Sequence, residues 1–329
     1  MKHELLELLR CPETGAPLRL LEAREAEGEV ESGVLATPDG ARRYPVQGFV
    51  PRFVPPENYA AGFGLQWNRF RRTQLDSHSG VPVSRDRFYS FTGWSPEELA
   101  GKRVLDLGCG AGRFAEVALA AGARVVAVDY SSAVDAARAN HGANPRFDVV
   151  QGDVYRLPLA PGSFDYVYCL GVLQHTPDVR RAFLSLPPML KPGGKLAVDL
   201  YPRLALNLLW PRYWLRPVTK RMNPGRLFRV VERAVPVLLP VSLALGRVPG
   251  VGRKLRHLVP VANYEGKLPL SPAQVREWAV LDTYDMLAPA HDHPQTAATL
   301  RGWFEEAGMR DVWVERPGFV VGRGTRPAA

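Results

Sequence analysis

The stretch that decides the fold reads Val104-Leu105-Asp106-Leu107-Gly108-Cys109-Gly110-Ala111-Gly112-Arg113-Phe114. Its apolar start predicts a buried strand, and its three glycines predict a tight turn that opens a helix at Arg113. Glycine suits this turn because a side chain would block the backbone's approach to a nucleotide-like ligand, and the helix N-terminus offers free N–H groups. The spacing Gly-x-Gly-x-Gly differs from the dinucleotide fingerprint Gly-x-Gly-x-x-Gly. Because Asp106 also precedes the first glycine, the stretch favours a sulfonium nucleoside with a cationic amino-acid part over a pyrophosphate.

Two more carboxylates follow at the ends of the next two predicted strands. Asp129 comes about twenty residues after the first glycine, where a carboxylate can accept hydrogen bonds from both ribose hydroxyls. Its alternative role is to cap the turn before Ser131. Asp153 is placed to accept a hydrogen bond from an adenine amino group, and its alternative role is that of a turn carboxylate. With Asp106, these acids predict a nucleoside site.

Strand-like and helix-like segments alternate from Val104 to Leu200. The predicted strands are 104–107, 124–128, 147–150, 164–168 and 195–200, and the predicted helices are 113–121, 133–139 and 180–189. Such alternation predicts a parallel sheet with helices on both faces. A helix over 297–307 and two strands at 312–314 and 319–321, around Pro317-Gly318, close the domain.

These residues and four later motifs together resemble the class I S-adenosylmethionine-dependent methyltransferase family over about Gly101 to Leu200. The later motifs are Leu157-Pro158, Phe164-Asp165-Tyr166-Val167, Gly171-Val172-Leu173-Gln174-His175 and Leu190-Lys191-Pro192-Gly193-Gly194-Lys195-Leu196. The resemblance implies a Rossmann-like α/β fold, S-adenosylmethionine as the cofactor and methyl transfer as the reaction. It also implies cofactor contacts from Asp106, Gly108, Cys109, Gly110, Gly112, Asp129, Tyr130, Asp153, Val154 and Leu170. It says almost nothing about the acceptor.

Methyl transfer is an in-line displacement at an activated carbon, so the protein chiefly positions the acceptor and excludes water. An oxygen acceptor still benefits from a general base. His175, just beyond the fourth predicted strand, is the first candidate, and lining of the pocket is its alternative role. The further candidates that we assign are Tyr201, Tyr284 and His291, and Asp285 and His293 are also considered. Residues 282–285 with 291–293 can also be read as a metal site, but their spacing fixes no ligand geometry, so no metal is predicted.

The chain is predicted to divide into residues 1–58 and 59–329. The first part resembles the small zinc-ribbon-like domain that precedes some bacterial methyltransferases, through the motifs at 9–12 and 44–51. No second cysteine follows shortly after Cys11, and tetrahedral zinc needs four ligands. The sequence therefore predicts a metal-free relic of that domain.

Cysteine is scarce, and Cys11, Cys109 and Cys169 lie in different contexts with no Cys-x-x-Cys pair. This disfavours a disulfide framework and a four-ligand zinc site, and it fits a reducing cytoplasm. The first seven residues alternate acids with leucines, unlike a signal peptide. The longest uncharged apolar run, 234–246, is shorter than the ~20 residues of a spanning helix, and its two prolines should break it. We therefore expect a cytoplasmic protein that does not cross a bilayer.

Residues 202 to about 266 interrupt the alternation and are interpreted as a basic, apolar insertion or lid. Between Tyr201 and Pro260 there are twelve Lys or Arg residues against one acid, Glu232. The apolar residues include Leu204, Leu208, Leu209, Trp210 and Trp214. Arginine and tryptophan beside apolar runs suit contact of residues 202–260 with the inner, anionic face of a membrane, or a lid over a hydrophobic acceptor. A helical cap with solvated or paired arginines is the alternative.

The leading hypothesis is a methyltransferase for an oxygen or nitrogen of a small-molecule, sugar or lipid-like acceptor. An RNA methyltransferase is the enzyme alternative, favoured by the basic insertion and weakened by the absent zinc cysteines. A non-catalytic module that holds the cofactor as a structural ligand is the alternative from another class. A nicotinamide dehydrogenase is disfavoured by the glycine spacing.

Overall fold

The computed structural model describes residues 1–55, 57–203, 210–315 and 318–328. Leu204, Leu208, Leu209 and Pro317, which the sequence analysis names, lie outside these ranges. Within them the first four strands form an antiparallel sheet in the order β1-β2-β3-β4. These strands are β1 (Arg19–Ala26), β2 (Glu29–Ala36), β3 (Arg43–Gln47) and β4 (Val50–Pro51), and a 3-10 helix at His3–Glu7 precedes them.

The second sheet has seven strands in the described ranges, in the order β10-β11-β9-β8-β5-β6-β7. They are β5 (Arg103–Leu107), β6 (Arg124–Asp129), β7 (Phe147–Gln151), β8 (Phe164–Cys169), β9 (Leu190–Leu200), β10 (Arg310–Glu315) and β11 (Val320–Thr325). Strands β5 to β9 pair in parallel, whereas β11 is antiparallel to β9 and to β10. The predicted α/β class with a mostly parallel sheet is confirmed.

The helices of the described ranges cover both faces of this sheet, and four of them, within residues 211–287, pack together as a unit that we call the cap. The helices are α1 (Ala61–Arg69), α2 (Asp76–Ser79), α3 (Val83–Thr92), α4 (Pro96–Leu99), α5 (Arg113–Ala120), α6 (Ala133–His141), α7 (Val179–Leu184), α8 (Pro211–Thr219), α9 (Pro224–Gly246), α10 (Gly252–Leu255), α11 (Pro272–Leu287) and α12 (Ala297–Glu306). The predicted helix over 180–189 ends early, because Pro187 and Pro188 follow it and a 3-10 turn takes its place.

The central strands are apolar on both faces because helices cover both faces. Leu105 and Leu107 of β5 belong to one buried cluster with residues of α7 and α12. Val104 belongs to the other cluster, with residues of α3 and α5. This alternation with a period of two places successive side chains on opposite faces of the sheet. The sheet is therefore a rigid platform whose carboxyl ends carry the loops of the site.

The N-terminal sheet shares its core with the main domain. Leu9 is fully buried in the same cluster as Leu105 of β5 and Val150 of β7. Arg52, which follows β4, donates a hydrogen bond of 2.9 Å to Oε1 of Gln151 at the end of β7. We therefore expect the two parts to unfold together.

Cys11 is buried in the N-terminal unit, with its Sγ 3.2 Å from the hydroxyl of Tyr44. In the part of the chain that the structure describes, no group of three or more His, Cys, Asp or Glu side chains is arranged to hold a metal ion. The resemblance of residues 1–58 to a zinc-ribbon-like domain stays a prediction.

Helix α9 corrects one expectation about the insertion. Pro236 and Pro240 were expected to break the run 234–246, yet α9 continues through both prolines. Both lie on the exposed side, while Val231, Val235 and Leu239 are buried against the rest of the cap. This packing offsets the roughly 3 kcal/mol that an interior proline costs. None of the helices described here is long and apolar enough to span a membrane.

The insertion is fixed to helix α11, which the sequence analysis does not predict. Arg216 of α8 is buried and donates to the carbonyls of Met286 at 3.0 Å and Pro289 at 2.9 Å. The N-terminus of α11 carries a capping box in which Ser271 and Gln274 bond each other's backbone N–H groups. That four-residue pattern, with Pro272 at the first helical position, was the available signal for this helix.

We expect Leu9→Ala to lower the free energy of unfolding by about 2–4 kcal/mol, because it empties a fully buried position in the shared core. Leu21→Ala in β1 is the matched control, since this side chain is 41% exposed and should cost less than about 1 kcal/mol. Urea unfolding followed by tryptophan fluorescence checks this, since every tryptophan lies after residue 59. A tryptophan transition that Leu9→Ala leaves unmoved would contradict the shared core.

Candidate functional site

The glycine loop between β5 and α5 has the tight geometry that the sequence predicts. Gly108 and Gly110 have φ angles of +74° and +53°, in the left-handed region that favours glycine. A Cβ at Gly108 would collide with the side chain of Val172, and one at Gly110 would lie 3.1 Å from Nε1 of Trp67. A larger residue at either position would therefore change the shape of the loop.

Asp129, at the end of β6, braces this loop. Its Oδ2 accepts a hydrogen bond of 3.0 Å from the backbone N–H of Gly110. Its Oδ1 accepts from the N–H of Ser131 at 2.8 Å and from the Ser131 hydroxyl at 2.7 Å. The local turn that the sequence analysis offers as the alternative role is thus present. The same carboxylate also joins the ends of two neighbouring strands.

Asp106 lies buried just before the glycine loop, beside the hydroxyl of Tyr168, which lowers the pKa of Asp106 less than burial raises it. It is only 2% exposed, and its Oδ2 has no hydrogen-bond partner among the described residues. Burial raises its pKa to about 7. A cationic group bound in the glycine loop would give this oxygen a partner and lower the cost of its charge. The residues present therefore fit the amino-acid part of S-adenosylmethionine.

Aromatic rings line the far side of the site, at the ends of β6 and β7. Tyr130 stacks on Tyr59 with ring centroids 4.9 Å apart. Asp153 lies near both rings, and its charge contributes to the raised pKa of each hydroxyl, although burial is the larger cause. Asp153 Oδ1 accepts a 2.9 Å hydrogen bond from Tyr155 N–H, so the alternative turn role is also present. Tyr59 was not predicted from the sequence. The available signal was an aromatic residue two positions before the start of α1.

The remaining residues that the resemblance implies lie at the same strand ends. Cys109 is buried in the glycine loop, and burial raises the pKa of its thiol. Leu170 is buried directly after β8, and Val154 is half-buried next to Asp153. They supply the apolar part of the surface around the loop.

His175 lies in the 3-10 turn Leu173–His175 that follows β8. Its Nδ1 is 3.1 Å from the carbonyl oxygen of His291. Because a carbonyl only accepts, Nδ1 carries the hydrogen, and Nε2 of the neutral ring keeps its lone pair. Burial lowers the pKa of the ring, which keeps it neutral near pH 7.

The structure brings three of the four predicted catalytic residues together. Tyr201, just after β9, packs edge-on against the His175 ring at 5.4 Å, and His291 holds His175 through its carbonyl. The structure does not bring Tyr284 to them. Its ring packs against Phe228 at 5.6 Å, in the core between α9 and α11. The helical period explains this, because Tyr284 faces α9 while residues one and two positions away on α11 face elsewhere.

An ion pair between α3 and β9 was not predicted from the sequence. Arg87 of α3 is 2.5 Å from Oδ2 of Asp199, which is fully buried. Asp199 Oδ1 accepts a hydrogen bond from the N–H of Gly171, in the loop after β8. The available signal was the lone acid in the apolar run 196–200 at the end of β9.

A cavity of about 350 Å³ lies elsewhere, between α9 and the segment that leads into α11. Leu239, Leu243 and Leu268 are among its mostly apolar lining residues. It includes none of the predicted site residues.

The fold is that of a Rossmann-like α/β domain with a glycine loop directly after its first parallel strand. Residues 105–198 match a family model described as a methyltransferase domain. The chain is 39% identical over 130 residues to a ubiquinone biosynthesis O-methyltransferase of Xanthomonas euvesicatoria, which is 37% of this chain and 54% of that protein. It is 28% identical over 244 residues to an uncharacterized protein of Synechococcus, which is 68% of this chain and 53% of that protein.

The chain spans about half the length of the curated relatives it matches. Among solved structures it is similar to an S-adenosylmethionine-dependent methyltransferase from Mesorhizobium loti, with a TM-score of 0.42 and 23% identity. That alignment covers 74% of this chain and 96% of the other. The sequence matches therefore identify residues 105–198 as similar to methyltransferase domains.

We expect Asp106→Asn to stabilise the unliganded protein at pH 7.5 by up to about 4 kcal/mol, at about 1.4 kcal/mol per unit of pKa, and to change little near pH 4. The ordinary pKa of Asp is 3.8 and that of folded Asp106 is about 7, so the folded state holds the extra proton between these values. Stability therefore falls as pH rises through this window. Urea unfolding at both pH values checks it, with exposed Asp86→Asn as the control. An equal effect of Asp106→Asn at both pH values would contradict the assigned pKa.

Proposed function

We propose that this protein is an S-adenosylmethionine-dependent methyltransferase that acts on an oxygen atom of a small-molecule acceptor. One observation supports this more than any other: the unpaired, buried oxygen of Asp106 lies beside a glycine loop within the segment that matches methyltransferase domains. The names of the similar ubiquinone biosynthesis O-methyltransferases support an oxygen acceptor.

The order of the strands supports a direction for the cofactor across the sheet. In the order β7-β6-β5-β8-β9, Asp153 would bind adenine at β7 and Asp129 would bind ribose at β6. The glycine loop at β5 would then hold the amino-acid part, with Asp106 facing its ammonium group. The methyl group is then directed towards the ends of β8 and β9. His175 and Tyr201 are at these ends.

The bound cofactor would supply a methyl group already activated by its positive sulfur. His175 would accept the acceptor's hydroxyl proton at Nε2, since its Nδ1–H is held by the carbonyl of His291. Tyr201 and Phe63 pack against the His175 ring and would fix its orientation while excluding water. The protein's contribution is chiefly positioning.

Gly108→Ala should weaken the binding of S-adenosylhomocysteine by at least about tenfold, because the added methyl group collides with Val172 and meets an unfavourable backbone angle. Gly302→Ala in α12 is the matched control, since a Cβ there meets no atom within 4 Å. Isothermal titration calorimetry of both folded variants measures the difference. Equal affinities would contradict the proposed position of the cofactor.

Titrations with other ligands and an assay of methyl transfer distinguish the proposed function from its alternatives. Binding of NAD but not of S-adenosylhomocysteine would support a dehydrogenase. Tight, steeply salt-dependent binding of RNA would support an RNA methyltransferase. Cofactor binding with no methyl transfer to any acceptor tested would support a non-catalytic module.

We further propose that the cap contacts the inner, anionic face of a membrane. On α8, Trp214 is 66% and Val218 67% exposed. The outer face of α9 carries exposed Val230, Val237 and Val241 with exposed Arg226, Arg229 and Arg233, and exposed Arg247 and Val248 follow directly after its end. Apolar side chains flanked by arginines suit the interface of an anionic bilayer. This observation favours membrane contact over a solvated cap.

The double variant Val237→Ser and Val241→Ser should lose about tenfold of its cosedimentation with vesicles that contain phosphatidylglycerol, because both valines are taken from the contact surface. Leu21→Ser, on the N-terminal sheet, removes a similarly exposed apolar side chain and should bind as the wild type does. Higher salt should weaken binding further. Equal binding of both variants, or equal binding to neutral vesicles, would contradict the proposal.

A further inference from the structure

Four polar side chains that interact with one another lie around Tyr201, just after β9, and we name the space they border the polar cleft. Asp282 and Asp285 of α11 line it together with Tyr201 and Tyr264. Each of these side chains keeps part of its surface open to solvent. Burial nevertheless raises the pKa of Asp282 to about 7 and that of Asp285 to about 6. Side chains that solvent reaches but protein surrounds mark a recessed cleft.

The cleft contains polar atoms that the protein does not satisfy. The hydroxyl of Tyr264 donates to Asp282, and Nε2 of Gln66 donates to Oδ1 of Asp285 at 3.4 Å. Gln66 is 1% exposed, yet its Oε1 has no hydrogen-bond partner within the described ranges. Oδ1 of Asp292 is also buried and has no hydrogen-bond partner within the described ranges. An unpaired buried polar atom costs about 1–3 kcal/mol, so this cleft is built for a polar occupant.

The cleft adjoins the proposed position of the donor methyl group. Arg113 is the first residue of α5, directly after the glycine loop, and its charge acts on Asp282. Tyr201 contacts the ring of His175. Burial raises the pKa of its hydroxyl, and the charges of Asp285 and Asp282 add to this effect. An occupant of the cleft would therefore reach both the loop and His175.

The charges around the cleft favour a neutral occupant. Arg113 and Arg87 act on Asp282, and Arg216 acts on Asp285. The acids are thus offset by guanidinium groups, so an ammonium ion would meet repulsion as well as attraction. A hydroxyl group both donates to a carboxylate and accepts from a guanidinium, and it therefore suits both kinds of group.

We infer that the acceptor is a polyhydroxylated, carbohydrate-type molecule whose hydroxyl groups are bound by Asp282, Asp285 and Gln66. This inference rests on the proposed function and names its substrate class. One hydroxyl would lie at His175, which removes its proton as the oxygen bonds to the methyl carbon. The carbon–sulfur bond breaks at the same time, and its electron pair leaves on the neutral sulfur.

Most of the cleft lies outside the residues that match the methyltransferase family model. Gln66, Tyr201, Tyr264 and the acids of α11 all fall outside residues 105–198. The family model therefore does not describe what this cleft holds.

The test uses the full chain with tritium-labelled S-adenosylmethionine and two probe pools. One pool contains free and nucleotide-linked hexoses and 6-deoxyhexoses, and the other contains catechols and prenylated phenols. We expect label to enter the carbohydrate pool. For the best sugar, Asp285→Asn should raise KM by about tenfold, as expected for losing one charged hydrogen bond, and change kcat less than threefold.

Three further measurements make the result decisive. The affinity of Asp285→Asn for S-adenosylhomocysteine should stay within twofold of the wild-type value. A variant that had lost its structure in general would show a larger change. Asp282→Asn is the second variant, should the first fail to fold, and Asp86→Asn is the exposed control. Transfer only to phenols, transfer to neither pool despite cofactor binding, or an unchanged KM in both variants would overturn the acceptor class. Absence of cofactor binding in the wild type would instead reject the proposed function on which it rests.

Discussion

The hydrogen bond between the Gly110 N–H and the Asp129 carboxylate holds the site together. It fastens the loop after β5 to the end of β6, and the N–H of Gly108 adds a 2.7 Å bond to the carbonyl of Val128. The position of the loop sets the start of α5 and therefore the place of Arg113. Asp106, buried just before the loop, keeps one oxygen without a hydrogen-bond partner among the described residues. The proposed cofactor site and the proposed acceptor site both adjoin the loop that this hydrogen bond holds in place.

The glycine loop and its contact with Asp129 could be predicted because the information for them is local. A strand, a glycine turn and an acid at the next strand end follow each other within about thirty residues, and each has a physical reason visible in the sequence. The strands of the sheet were predictable for the same reason, since their period-two burial and apolar runs are local patterns. The continuous helix α9 was not, because packing of its buried face outweighs the local effect of two prolines.

The acceptor half could not be predicted because it depends on contacts between distant segments. Gln66 and Asp285 are 219 positions apart, and no local pattern links them. The sequence marks 282–285 as unusual, yet it does not tell which of these side chains share a face until α11 is known to be a helix. Tyr284 illustrates the consequence: its neighbours Asp282 and Asp285 line the cleft, while Tyr284 packs in the core.

Arg216 couples the cap to the cleft more directly than any other contact described above. Its guanidinium group holds the carbonyls of Met286 and Pro289, just before the segment that presents His291 and Asp292. A displacement of α8 would therefore act, through these two hydrogen bonds, on the segment that leads to His291 and His175. Thermodynamic linkage makes the transmission reciprocal: if adsorption of the cap at a lipid surface tightens acceptor binding, a filled cleft must strengthen adsorption by the same factor. The protein would then stay at the lipid surface longest while an acceptor occupies the cleft.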